Sequence, residues 1–236
     1  MISLEVNRPS RADVVARWLL LIDPRGKLHI RVLLVSLVII AALITAHLGA
    51  ALAGSARSAQ TQDGTIALFD LDDELTVSVW YSSFLFILVA FTSMALAWSR
   101  AHQASWKQRG WRGVSLVALF FSLDETSGIH ETGGGTLARI FPQVPLSPSS
   151  WWALPYALLV GMMFLFIAVE TRWRPKPLVP LVAAGACWCG AVLFEYLLLF
   201  PRHIDVALEE GLELLGTALL LYTLLTLLIA QKTSDT

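Results

Sequence analysis

Charge is scarce in this 236-residue chain: Asp, Glu, Lys and Arg make up 15% of it, against about 25% in a soluble domain. Hydrophobic residues account for 56%, and mean hydropathy is +0.65. That balance excludes an ordinary soluble domain. A basic surplus is also lacking. The net charge of -1 leaves no basic face to neutralise phosphates, which excludes a nucleic-acid partner. Cysteine is nearly absent. Cys187 and Cys189 stand two apart in an apolar run, so on a helix they point in different directions and cannot build a disulfide framework. They read as small-residue helix packing beside Gly185 and Gly190 rather than as a metal motif. No internal repeat, linker or second domain is visible.

What the chain has instead is six apolar stretches, near residues 30–52, 76–98, 113–131, 151–170, 178–200 and 207–230. Each is long enough for a hydrocarbon core of about 30 Å, which takes about 20 helical residues. Lipid offers no hydrogen-bond partners, so each is expected to be helical. The predicted fold is all-α, a polytopic integral membrane protein with a bundle of six transmembrane helices. Residues 1–29 form a cytoplasmic arm, 30–230 the membrane domain and 231–236 a cytoplasmic tail. Lys and Arg sort by side: 14 fall on the side of the termini, with Arg57, Arg139 and Arg202 opposite. That partition puts both termini in the cytoplasm. Trp18, Trp98, Trp106, Trp111 and Trp173 mark the inner interface; Trp80, Tyr81, Trp151 and Trp152 mark the outer one. Residues 10–21, SRADVVARWLLL, have capping-box spacing and read either as an interfacial helix or as a disordered basic arm. The first span ends in AALAGSA, but its apolar core and the arm before it are too long for a cleaved signal, so it is expected to be retained.

The ionisable residues inside these spans are distributed unevenly. Counting from Gly113, Asp124 and Glu125 come about 17 Å up, near the midplane, and His130 and Glu131 about 26 Å up. His47, Glu195, Glu209, Glu210 and Glu213 also fall in the outer half, whereas the inner half carries only Glu170. Asp124, Ser127 or Gly128, and Glu131 form one helical stripe, and Glu209, Glu213 and Gly216 another. Small residues on those faces let a neighbour approach, which predicts that the third and sixth spans face each other. An acid at the centre of a membrane helix costs about 2.5 to 3.5 kcal/mol, and no Lys or Arg lies inside a span to answer it. The acids therefore hold protons, share an outward aqueous cavity or bind a cation, or else form an interhelical hydrogen-bond network. Asp124, Glu125, Glu213, Glu195 and Glu210 are the proton or cation candidates.

His130, Glu131, Glu209 and His47 are the residue types that suit a divalent metal, although neither H-E-x-x-H nor the paired E-x-x-H of di-iron bundles is present. His203 reads as a loop histidine. The FDLDDE loop, with Asp70, Asp72, Asp73 and Glu74, fails the EF-hand pattern; it is either a solvated helix cap or a cation-attracting vestibule. The GGGT stretch at 133–136 has no phosphate-loop lysine and reads as a flexible exit from the third span. Ser127 has no nucleophile-elbow context.

Leu123, Asp124, Glu125, His130 and Glu131, followed by Glu209, Glu210, Glu213 and Gly216, resemble a group of uncharacterised bacterial multi-pass membrane proteins. The resemblance covers the third and sixth spans and implies architecture and site without an activity. Three functions follow for a bacterial inner-membrane protein whose surroundings are the lipid bilayer. They are proton- or cation-coupled transport, metal-dependent hydrolysis of a lipid or envelope substrate, and a non-catalytic assembly role. Homo-oligomerisation and the identity of any membrane partner stay open.

Overall fold

The computed structural model describes residues 23, 26–54, 68–71, 76–100, 104–140, 151–197 and 199–232. The 10–21 segment, Asp72, Asp73 and Glu74 lie outside the described residues, as do residues 55–67 and 141–150. The described chain is helical, with no strand: α1 (Leu28–Gly54), α2 (Val77–Ser99), α3 (Ser105–Ser127), α4 (Ile129–Ile140), α5 (Ala153–Thr171), α6 (Pro175–Leu197) and α7 (Arg202–Lys232). Five helices are long and apolar enough to cross a membrane: α1, α2, α5, α6 and α7. Their outward faces carry large apolar side chains, among them Val38, Phe91, Leu165 and Val179. Such a surface suits lipid.

Helices α2, α3, α5, α6 and α7 pack in sequence into a closed ring, with α2 also against α7, and α1 lies outside on α7. Aromatic rings fill the middle of this ring. Phe86 of α2, Phe121 of α3 and Trp188 of α6 meet with centroids 5.5 to 6.3 Å apart, and Phe164 of α5 joins at 5.6 Å from Trp188. Small residues bring α6 and α7 close. A Cβ at Gly216 would fall inside the Trp188 ring, and one at Gly190 would stand 3.1 Å from Leu212.

Four expectations change. The third helix starts eight residues before Gly113, because the charged stretch SWKQRGWR is helical too. Asp124 is thus near the far end of α3 rather than at mid-span. That helix stops at Ser127, so Asp124 and Glu131 do not share one continuous stripe. The GGGT stretch is no flexible exit but lies within α4. The small-residue faces of α7 receive α6 and α1, through Trp188 and Ile44, while α3 packs on α2. Trp111, Tyr81 and Trp151 are buried.

Candidate functional site

The site begins where α3 breaks. Gly128 adopts the left-handed conformation (φ 57°), and its N–H closes on the Asp124 carbonyl at 2.8 Å. Glycine makes that turn without a Cβ penalty. The Asp124 side chain then straps the joint. Its Oδ1 accepts the backbone N–H of His130 at 2.9 Å, satisfying an otherwise orphaned donor in the first turn of α4. Its Oδ2 lies 2.9 Å from His130 Nδ1, which fixes the ring and presents Nε2 as the remaining nitrogen. Trp152, just before α5, and Tyr156 of α5 hold the imidazole edgewise, with centroids 5.2 and 6.1 Å away. The buried Tyr156 hydroxyl lies near Asp124 but outside strict hydrogen-bond geometry.

Position on the neighbouring helices follows from a serine pair. Ser83 Oγ donates to the Ser122 carbonyl at 3.0 Å and sits 2.8 Å from Ser122 Oγ. This pins α3 to the second turn of α2 just before the acids begin. Glu125 meets the Ser82 hydroxyl there. On α7, Glu213 lies within electrostatic reach of Glu125, Glu209, Glu195 and His130. Its backbone carbonyl accepts from Trp188 Nε1 at 3.2 Å and from Thr217 Oγ1 at 2.9 Å. Glu195 of α6 also feels His130. Glu125 and Glu213 are surrounded by protein yet keep accessible surface. Trp188 of the aromatic cluster reaches Glu213 through the hydrogen bond to its carbonyl.

Asp124, Glu125, His130, Glu195, Glu209 and Glu213 are thus brought together from α3, α4, α6 and α7. Glu210 is half-buried at the next position of α7. The Glu131 backbone belongs to α4, and its side chain lies outside the described residues. His47 is engaged elsewhere. The Leu71 N–H donates to its Nδ1 at 3.1 Å, so the proton sits on Nε2, which donates to the His203 carbonyl at 3.1 Å. Asp70 lies 3.4 Å from the same Nδ1. His47 laces α1 to the 68–71 turn and to the start of α7. Among the described residues, no three His, Cys, Asp or Glu side chains converge as a metal site.

Sequence reasoning missed Tyr156, Trp152 and Ser82, and it missed the buried Asp205, whose carboxylate accepts the Phe200 N–H at 3.1 Å. It also missed a second ionic centre at the opposite end of the bundle. There Arg100, just past α2, pairs with Glu170 of α5, both side chains 4% exposed. Lys107 Nζ stands 3.4 Å from the other Glu170 oxygen, and the Arg100 guanidinium lies 5.2 Å over the buried Trp111 ring. Burial, and then the like charge of Arg174, pull Arg100 down to about 10, so it stays charged at neutral pH. The sequence signal was a lone acid opposite an Arg and a Lys on the same side.

A family model described as a domain of unknown function, DUF8692, matches residues 32–228. The chain belongs to that family. The matched DUF8692 region takes in every residue of the carboxylate cluster. No curated protein and no solved structure matches the chain.

Proposed function

We propose that this DUF8692 protein is a six-span membrane protein with both termini cytoplasmic, whose outward recess binds protons or a cation in coupled transport. The supporting observation is the company Glu213 keeps. Three carboxylates act on it, and His130 acts in the opposite sense. Four carboxylates sharing a confined space resist simultaneous ionisation, so the group takes up protons or a cation. Helix α3 serves as the sixth span. It runs beside α2 from Ser115, whose hydroxyl donates to the Ala90 carbonyl at 2.9 Å, to the Ser83–Ser122 pair. The sorting of Lys and Arg supports the orientation.

The test uses the full chain reconstituted in liposomes with a trapped pH dye. An imposed gradient of protons, Na⁺ or a divalent ion should drive a dye response that Glu213→Gln abolishes. An identical response in wild type, Glu213→Gln and empty liposomes sinks the transport reading. The second reading, metal-dependent hydrolysis, is favoured by one feature: a histidine oriented by a carboxylate is an arrangement common to metal ligands and general bases. Stoichiometric transition metal in the purified protein, lost in His130→Ala, would select it. Asp124→Asn and Glu213→Gln proteins that are merely more stable, with neither flux nor metal, would point to an assembly role.

A further inference from the structure

Seven Lys and Arg stand against one acid, Glu170, in residues 100–112 and 170–176. In the proposed topology these stretches hold the cytoplasmic ends of α2 and α5 and the starts of α3 and α6. Glu170 is shared by Arg100 and Lys107, and Arg174 acts on Arg100 as a further like charge. Among the described residues, no carboxylate pairs with Arg172 or Arg174. Both arginines are exposed on a closed turn between α5 and α6, where the Arg174 N–H donates to the Thr171 carbonyl at 2.7 Å. Between them Trp173 is 83% exposed, and the Arg172 guanidinium lies 5.5 Å over its ring. The surplus of positive charge at this end is thus carried on a fixed turn.

The face of α5 that leads to this turn is apolar. Met162, Leu165 and Val169 are exposed, and with Arg172 they follow helical spacing along one side of the chain. From Met162 to Arg172 is about 15 Å of rise, the depth of one leaflet in a hydrocarbon core of about 30 Å. Met162 is the middle residue of α5 (Ala153–Thr171), so the stripe starts at mid-membrane and Arg172 comes at headgroup level. A tryptophan at that level keeps its ring at the membrane–water boundary. Arginine offers a planar fork that suits a phosphate, and a basic cluster at the cytoplasmic ends of membrane helices attracts anionic headgroups. Charge and depth agree on one occupant.

We infer that the α5–α6 turn binds an anionic phospholipid of the cytoplasmic leaflet, with its phosphate held by Arg172 and Arg174 and one acyl chain along Met162, Leu165 and Val169. The inference rests on the topology in the proposed reading and makes no use of the carboxylate cluster. The test is native mass spectrometry of the detergent-purified full chain incubated with phosphatidylglycerol or phosphatidylcholine of matched acyl chains. Phosphatidylglycerol should be retained preferentially. Arg172→Gln/Arg174→Gln should lower its binding by roughly 25-fold, at about fivefold for each cation. Arg109→Gln/Arg112→Gln removes the same charge from α3, on the same side of the membrane, and should leave most of the preference intact. Glycerol phosphate at equal concentration should displace no lipid. Glu213→Gln should leave retention unchanged, so a failure here is read separately from a failure of the transport reading. Equal retention of the two lipids by the wild type overturns the inference, as does a preference that survives Arg172→Gln/Arg174→Gln. An equal loss in Arg109→Gln/Arg112→Gln would mean attraction to overall charge, and displacement by glycerol phosphate would mean that the face of α5 contributes nothing. Either result overturns it too.

Discussion

The two ends of the helix ring treat buried acids in opposite ways. At one end Glu170 is held by Arg100 and Lys107, over an indole face. At the other, Glu213 has Glu125, Glu209 and Glu195 around it, with His130 acting in the opposite sense. A buried carboxylate with cations in place is a structural fastening, because removing either partner strands a charge. Carboxylates gathered beside a histidine, which can gain or lose its charge, are left responsive to something exchangeable. The contrast separates the residues that hold the bundle together from those available for work.

The comparison breaks most visibly at the fastening. Arg100→Met should destabilise the protein by about 3 to 5 kcal/mol, since Glu170 loses its closest partner while buried; thermal unfolding in detergent reads the loss. The double variant Arg100→Met/Glu170→Met should recover most of it, and a double variant as unstable as the single one would refute the pairing account. Next in size is Gly216→Ala, which forces the Trp188 ring aside and should cost about 1 to 3 kcal/mol; near-neutral behaviour would show that the indole shifts freely. Asp124→Ala removes the acceptor for both His130 contacts and should cost about 1 to 2 kcal/mol, with faster amide exchange at the start of α4. Smallest, and opposite in sign, is Glu213→Gln. Relieving like-charge crowding should raise stability by up to about 1 kcal/mol, whereas Glu170→Gln should lower it. If both glutamines shift stability the same way, the distinction between the two ends fails.

Much of the helical plan was legible from apolar length. The stretch read as 76–98 is Val77–Ser99, and that read as 178–200 is Pro175–Leu197. Hydropathy failed where a helix carries charge. The charged opening of α3 looked like a connecting loop, which moved Asp124 from near a helix end to an apparent midplane. Three consecutive glycines in α4 argue against helix by propensity, and neither Gly133 nor Gly135 has a close neighbour that demands it. Much of the acid cluster could be read from the sequence, since Glu125, Glu195 and Glu209 stay within electrostatic reach of Glu213 despite the change of helix partners. Its aromatic side was hidden, because a Tyr or Trp near a span end reads as an interface anchor until a neighbour is placed beside it.

The Glu213 carbonyl deserves a mechanical consequence. Because it takes hydrogen bonds from Trp188 and Thr217 together, and because Gly216 leaves the indole no slack, α6 and α7 behave as one lever at this level. The opposite wall is hinged at Gly128 and latched by one aspartate. Any change in the spacing of the acids would therefore be taken up at the α3–α4 joint before it parted α6 from α7.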